Sequence, residues 1–388
     1  MAGGSINIFT YGDATKPSTW SNVPYCLSRT LEQFGYTVNR IDISLENRPL
    51  LNIYRRLWTA FMRRYMRLRH RGEQYAYTFD RTPLYCRLVE REIKRANDLY
   101  PDACCNLFLS YSCRNRYSSA PSILLCDWTF EHLIREQYGR EPNGCEQRYI
   151  DLQNEAIRGC DHVVSLFEQS AQYIAERSGK EEVSFLGGNV VNIIGDNQPD
   201  EASVEQKAST HNILFIGGYR YREAARQLVE AYDTLKQHYP DVKIDIVGQN
   251  EADLGITLPT SGAVRCHGYL DKADEAQCAL YYKLLREASL LVNHNPVWGG
   301  YSSTIEAMYF YTPTIVAPYD EFVGEFGRDA SFAEFCNEFS VEALTSTIRR
   351  VFDSDARKQM CIDAHNAVEG YTWSAYVEKL VKLIEKYR

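Results

Sequence analysis

Long apolar runs are missing from this chain of 388 residues. No segment approaches the roughly 20 consecutive apolar residues that a membrane-spanning helix needs. Residues 1–10 also lack the layout of a signal peptide. An excess of positive charge is missing too, because the formal net charge is −8 at pH 7, and this argues against a general nucleic-acid-binding protein. We therefore expect a cytoplasmic globular protein without nucleic-acid partners.

Metal-binding motifs are also scarce. The 12 cysteines are scattered, and Cys104 and Cys105 are adjacent rather than spaced as in zinc sites. Such cysteines are typical of reduced cytosolic thiols. The Asp-Ser-Asp run at residues 353–355 resembles a metal-binding DxD motif, but its late position after an apolar pair favours the start of a helix. We predict no metal site and no cofactor.

Short apolar runs alternate with segments of helical spacing along the whole chain, which is typical of parallel sheets flanked by helices. Strands are predicted in the first half at residues 6–11, 37–43, 106–112, 122–127, 158–166 and 184–191. The pattern restarts with strands at residues 212–216, 243–247, 264–267, 289–292 and 314–317. A chain of this length also exceeds one ordinary core. We predict an α/β protein with domains at residues 1–195 and 211–370, a polar linker at 196–210 and a final helical segment at 371–388.

The stretch at residues 290–308, LLVNHNPVWGGYSSTIEAM, is the most informative part of the sequence. A buried strand leads to the Gly299-Gly300 turn, where the backbone can approach a ligand closely. Ser302 and Ser303 can cap the helix that follows. Free N–H groups at the start of a helix favour an anion. Glu306, one turn into this helix, suits a pair of hydroxyl groups such as a ribose diol.

This stretch resembles the nucleotide-sugar signature of GT-B glycosyltransferases, most closely that of glycosyltransferase family 4. The residues that fit the signature are Gly299, Glu306, Ala307, Met308 and Pro313. The chain departs from the signature at Trp298, which stands where the family has its first glutamate.

The resemblance implies a GT-B architecture, in which two Rossmann-like domains face each other across a cleft. The first domain would bind the acceptor, the second would bind the nucleotide sugar, and residues 371–388 would cross back to the first domain. The implied activity is transfer of a sugar from a nucleotide-diphosphate sugar to a glycan, a lipid-linked acceptor or a small molecule. Such enzymes are mostly retaining and need no metal, because protein cations and helix ends stabilise the leaving diphosphate.

The resemblance also assigns donor-binding residues. Family members usually hold the diphosphate with an arginine and a lysine, whose positions are occupied here by Gly218 and Glu223. Arg220 and Arg222 lie between them, and we predict that one supplies the missing charge; the alternative is that both are solvated surface residues. The full predicted donor side comprises Gly217, Gly218, Arg220, Arg222, Trp298, Gly299, Gly300, Tyr301, Ser302, Ser303 and Glu306.

The first domain offers acceptor-side residues at two predicted strand ends. Asp127 and His132 are the predicted catalytic residues, although Asp127 or Thr129 could instead cap the helix that begins near residue 130. The predicted acceptor side comprises Asp13, Lys16, Trp128 and Thr129.

Residues 54–71 form a predicted basic amphipathic helix. Tyr54, Leu57, Trp58, Phe61, Met62 and Tyr65 fall on one face, and the arginines 56, 63, 64, 67 and 71 lie largely opposite. Such a helix can lie on an anionic membrane surface. The alternative is a surface helix whose apolar face packs on its own domain.

Trp298 leaves the activity open, because an indole carries no charge and accepts no hydrogen bond. An active transferase with an altered sugar pocket is the main hypothesis. The alternatives are a protein of the same fold that binds a nucleotide sugar or a partner without catalysis, and a nucleotide-sugar epimerase.

Overall fold

The computed structural model describes residues 3–69, 76–110, 116–296 and 301–387. Contacts divide the chain into two compact units. The first consists of Met1–Gly188 with Tyr376–Arg388, and the second of Asn189–Ala375. None of the helices within the described ranges is both long and apolar enough to cross a bilayer.

The first unit contains a parallel sheet of six strands in the order β2-β1-β3-β4-β5-β6. The strands are β1 (Ser5–Thr10), β2 (Thr37–Asp42), β3 (Ala103–Leu109), β4 (Ser122–Cys126), β5 (His162–Ser165) and β6 (Val183–Phe185). Its helices are α1 (Val23–Gln33), α2 (Pro49–Arg69), α3 (Pro83–Leu99), α4 (Phe130–His132), α5 (Gly144–Gly159) and α6 (Glu168–Ser178). All five residues of β4 are buried, as expected of a parallel strand covered on both faces.

The second unit repeats this design with a parallel sheet in the order β12-β11-β10-β7-β8-β9. Its strands are β7 (Asn212–Ile216), β8 (Lys243–Val247), β9 (Val264–Cys266), β10 (Leu290–Asn293), β11 (Thr314–Val316) and β12 (Ala333–Phe335). Its helices are α7 (Ser203–Ser209), α8 (Arg222–His238), α9 (Glu251–Leu254), α10 (Glu275–Glu287), α11 (Ser302–Tyr309), α12 (Asp320–Phe326), α13 (Val341–Phe352) and α14 (Arg357–Val368). The chain ends in α15 (Trp373–Tyr387), whose residues from Tyr376 belong to the first unit.

Two Rossmann-like units of parallel strands and flanking helices confirm the predicted fold class. Short polar signals in the sequence fix several helix starts. Asn143 accepts hydrogen bonds from the backbone N–H groups of Cys145 and Glu146, while Glu146 bonds back to the N–H of Asn143. This reciprocal capping box satisfies N–H groups that would otherwise be unpaired at the start of α5.

The segment at residues 196–210, where we predict a linker, lies within the second unit and contains α7. The buried ammonium of Lys207 explains its order. Its Nζ donates to the carbonyl oxygens of Leu285 and Ala288 at 2.9 and 2.6 Å and to Thr312 Oγ1 at 3.0 Å. Burial lowers the pKa of this lysine to about 7. These long-range bonds stabilise a segment whose local sequence is polar and without periodicity.

Helix α2 covers most of the basic helix predicted at residues 54–71, of which Arg71 lies outside the described residues, and its apolar residues are not all exposed or all buried. Met62 and Met66 are buried, and Trp58 packs against the rings of Tyr77 and Phe79 at 5.7 and 6.1 Å. Many of its other large apolar side chains are exposed. The apolar side of the helix is therefore divided into a part that is buried against its own unit and a part that is exposed.

Candidate functional site

The carboxyl ends of β7 and β8 come close together in the second unit. The Gly217 N–H donates to Val247 O at 3.0 Å, and Gln249 Nε2 donates to Gly217 O, also at 3.0 Å. Gly248 has a φ of +98°, and a Cβ there would lie 2.6 Å from Gly217 O. Only glycine allows this approach of two backbone turns. The contact fixes the Gly217-Gly218 turn at the edge of the sheet where ligands bind in such folds.

Arg220 and Arg222 lie just beyond this turn, and both side chains are exposed. The Arg222 guanidinium stacks 4.4 Å from the ring centroid of Tyr219, and that of Arg220 lies 6.0 Å from the ring of Tyr221. Neither forms an ion pair or hydrogen bond with another described residue. Helix α8 begins here at Arg222 without a side-chain cap. Two uncompensated cations thus lie beside the positive end of a helix dipole.

Glu306 lies in α11, which follows the neighbouring strand β10, and is only 3% exposed. Its Oε2 accepts a hydrogen bond from the Tyr281 hydroxyl at 2.6 Å and pairs with Lys272 Nζ at 3.0 Å. Burial, followed by the charge of Glu306, raises the pKa of Tyr281, so this hydroxyl stays protonated as a donor. Lys272 also lies 4.1 Å from the Tyr281 ring centroid. The carboxylate is therefore held rigidly and its charge is balanced.

His294 follows β10 directly and is 1% exposed. Its Nε2 lies 3.0 Å from Gln227 Oε1, which fixes the ring. Burial lowers the pKa of His294 to about 4, so the imidazole is neutral at pH 7. Its Nδ1 is buried without a hydrogen-bond partner among the described residues. A buried polar atom of this kind is costly unless something pairs with it.

The remaining predicted donor residues divide into three groups. Tyr301 is 2% exposed and packs edge-on against Phe322 and Phe326 at 5.9 and 5.8 Å, which favours a role in the core. Ser302 and Ser303 begin α11 and are half-buried, but no side chain caps this helix, since its N-cap residue is Tyr301. Trp298, Gly299 and Gly300 lie outside the described residues.

The first unit brings Asp127, Trp128, Thr129 and His132 together at the carboxyl end of β4. Thr129 caps α4 by accepting a hydrogen bond from the His132 N–H at 3.1 Å. The His132 ring is stacked between Trp128 at 4.5 Å and Tyr173 at 4.2 Å. Burial lowers the pKa of His132 to about 4 and raises that of Asp127 to about 6. The Nδ1 of His132 has no hydrogen-bond partner in the described part of the chain.

Asp13 and Lys16 lie in the loop after β1. The Asp13 carboxylate accepts from the Thr15 N–H at 2.9 Å and the Thr15 hydroxyl at 2.6 Å. These bonds lower the pKa of Asp13. The Lys16 side chain is exposed. Asp13 thus shapes its own loop, while Lys16 is available to a ligand.

The search for related proteins found no match to any protein-family model or curated sequence. Solved structures do match along the whole chain. Sucrose-phosphate synthase from Thermosynechococcus elongatus aligns with a TM-score of 0.68 at 14% identity, covering 99% of this chain and 98% of that one. A glycosyltransferase from Rickettsia africae aligns with a TM-score of 0.61 at 12% identity, covering 100% and 99%.

A third match is a protein described as a UDP-N-acetylglucosamine 2-epimerase from Listeria monocytogenes. It has a TM-score of 0.57 at 12% identity and covers 99% of this chain and 96% of that one. The chain has the GT-B fold. Identities this low establish the fold alone, and membership of family 4 stays a prediction.

Several side chains of this GT-B protein were not found by reasoning from the sequence. Lys272 and Tyr281 contact Glu306, His294 contacts Gln227, and Tyr173 stacks on the ring of His132. Lys272 is 34 positions from Glu306, so no local pattern indicates the pair. In the described ranges, no three His, Cys, Asp or Glu side chains form a group that could hold a metal ion.

Proposed function

We propose that this protein is a glycosyltransferase that moves a sugar from a nucleotide-diphosphate sugar to an acceptor. The observation that carries the proposal is Glu306, a buried carboxylate held by Lys272 and Tyr281 on the helix that follows β10. Its Oε2 already has two partners. We assign its other oxygen to a ribose hydroxyl of the donor, because a buried carboxylate is a strong and geometrically selective acceptor.

The donor diphosphate would lie at the start of α8, beside Arg220 and Arg222. A helix N-terminus supplies only about half a charge, so the leaving diphosphate needs further cations in the absence of a metal. The two arginines have no competing ion pair among the described residues. Protein cations of this kind favour metal-independent transfer, and by the family resemblance we propose retention of configuration at the transferred sugar.

Acceptor binding is assigned to the first unit. Burial raises the pKa of Asp127 to about 6, which is close to the range in which a carboxylate works as a general base at neutral pH. His132 is neutral at pH 7, and its Nδ1 suits a hydrogen bond with an acceptor hydroxyl. The acceptor class is a glycan, a lipid-linked sugar or a small hydroxylated molecule.

The proposal is tested with a panel of UDP-, GDP- and other nucleotide sugars, using calorimetry for binding and mass spectrometry for products. Arg220→Ala and Arg222→Ala are assayed on the donor that binds. Loss of the effective arginine should reduce kcat more than it raises KM. The expected loss of transition-state stabilisation is about 2–4 kcal/mol. Arg226→Ala is the matched control, because Arg226 lies on the same helix but pairs with Glu223 and Glu230. Wild-type kcat in both test variants would refute the diphosphate assignment.

The similarity to the epimerase favours one second candidate, a nucleotide-sugar epimerase. The same panel separates it from a transferase. An epimerase would convert the donor to its C2 epimer, or release the epimeric sugar, without any added acceptor. A transferase would form a glycosylated product only when an acceptor is present. Tight donor binding without either product would support the non-catalytic alternative.

A further inference from the structure

Helix α2 presents a continuous apolar stripe to solvent. Its members are between 54% and 83% exposed, and they are Leu50, Ile53, Leu57, Phe61 and Leu68. Leu57, Phe61 and Leu68 lie seven, eleven and eighteen positions after Leu50, which are close to whole numbers of helical turns. The stripe is therefore one face of the helix, about 27 Å long at 1.5 Å per residue. Exposed apolar patches of this size mark an interaction surface.

The adjoining face of α2 is fixed to its own unit, so the stripe is not a face that awaits packing within that unit. Met62 and Met66 are buried, and Trp58 packs on Tyr77 and Phe79. Arg55 pairs with Asp80 at 2.9 Å. The inward face already has its partners, which leaves the outward stripe for another molecule.

The charge of α2 is entirely positive. The helix contains six arginines and no acidic residue, whereas the whole chain carries −8. Arg56, Arg63, Arg64 and Arg67 are exposed and form no ion pair with a described residue. Arg64 projects within the stripe and the other three lie along one side of it. The positive charge is thus local to this surface.

We propose that α2 docks the protein on an anionic lipid bilayer, with the stripe in the interfacial region and the arginines on the headgroups. An amphipathic helix binds in this way when apolar burial and attraction to anionic lipid act together. A second copy of this chain would fit less well, because an isologous interface would bring two unpaired arginine clusters together. A nucleic acid would pair with the arginines but leave the leucines and Phe61 in water.

Vesicle flotation of the full chain tests the proposal without any sugar donor, so its outcome is independent of the proposed transferase activity. We expect binding to phosphatidylcholine vesicles that contain about 30% phosphatidylglycerol, and weaker binding at high ionic strength, where surface charges are screened. Vesicles of phosphatidylcholine alone should bind far less. Absence of binding to the anionic vesicles at low salt would overturn the proposal.

The charge contribution is measured with the variant Arg63→Gln, Arg64→Gln, Arg67→Gln. Each arginine near an anionic surface strengthens binding by about fivefold, so this variant should bind about a hundredfold more weakly. The matched control neutralises three exposed arginines of α3, namely Arg87, Arg91 and Arg95. It changes net charge equally and should stay within about threefold of wild type. An equal loss in both variants would show attraction that does not depend on α2 and would overturn the proposal.

The apolar contribution is measured with Leu57→Asp, Phe61→Asp, which should reduce vesicle binding by more than about tenfold at either salt concentration. Both side chains are exposed, so the variant should melt as the wild type does. Wild-type vesicle affinity in this variant would refute insertion of the stripe. A wild-type dimer in light scattering that the same substitutions dissociate would show that a second copy covers the stripe, and would also refute membrane docking.

Discussion

Glu306→Gln is expected to lower both the stability of the second unit and the affinity for donor. The substitution keeps the shape of the side chain but removes the charge that balances Lys272. Breaking one side of a buried pair costs about 3–5 kcal/mol, and the glutamine oxygen recovers part of this by accepting one hydrogen bond. We expect a net loss of about 2–3 kcal/mol.

This loss is large enough to measure by thermal denaturation. A unit of this size loses about 2–4 °C in Tm per kcal/mol, so Glu306→Gln should melt about 4–12 °C lower. The double variant Lys272→Met, Glu306→Gln removes both charges and should be more stable than the sum of the single effects by about 1–3 kcal/mol. Glu369→Gln is the matched control, because Glu369 is exposed in the same unit, and it should melt as wild type does.

Donor titration then separates the two roles of Glu306. Loss of a hydrogen bond to a charged acceptor costs about 1.5–3 kcal/mol, equivalent to a 10- to 150-fold weaker donor affinity. If Glu306→Gln melts like the Glu369→Gln control, the Lys272 and Tyr281 bonds do not form in solution. If the variant melts lower but binds donor as wild type does, Glu306 is structural and the ribose assignment is refuted.

Three further predictions concern pH and backbone geometry. The pKa of Asp127 is raised to about 6, so the native state binds more protons than the unfolded state between about pH 4 and pH 6. In urea unfolding above pH 6, Asp127→Asn should therefore be more stable than wild type by about 2–3 kcal/mol. A difference in stability that does not change with pH would contradict this prediction. The pKa of His132 is lowered to about 4, so wild type loses stability as the pH falls from about 6.5 to 4. His132→Phe should lack this loss in the same assay. If the stability of the variant depends on pH as that of wild type does, the imidazole is not buried in its neutral form. Gly248→Ala should lower the free energy of unfolding by more than about 3 kcal/mol, because the new Cβ meets a carbonyl oxygen. The control Gly255→Ala, which is also at positive φ but has open space around it, should lower it by about 1–2 kcal/mol. Equal losses in the two variants would refute the close approach at Gly248.

The fold could be predicted from the sequence because parallel strands buried on both faces are continuous apolar runs. Strands β7 and β8 have the bounds predicted from the sequence, Asn212–Ile216 and Lys243–Val247. Helix α7 could not be predicted in this way. Its order depends on Lys207, whose partners Leu285 and Ala288 lie 78 and 81 positions away. A local window of sequence contains only the polar residues around that lysine.

The site was partly predictable for the same reason. The position of Glu306 follows from strand β10 and from the start of α11, both of which have signals in the local sequence. Its charge balance does not, because Lys272 comes from the loop after β9 and Tyr281 from α10. Likewise, the sequence places His132 near a strand end, but burial is what lowers its pKa. Part of that burial comes from Tyr173, which stacks on the ring from 41 positions away.

Lys272 also resolves an electrostatic difficulty in the donor assignment. A lone carboxylate near the start of α11 would repel a diphosphate and offset the positive end of the helix dipole that attracts it. With Lys272 Nζ 3.0 Å from its oxygen, Glu306 belongs to a pair of zero net charge that can still accept a hydrogen bond. The field along this edge of the sheet is then set by Arg220, Arg222 and the start of α8, which all favour an anion. Selectivity for a hydroxyl and attraction for a phosphate can therefore coexist on neighbouring strands.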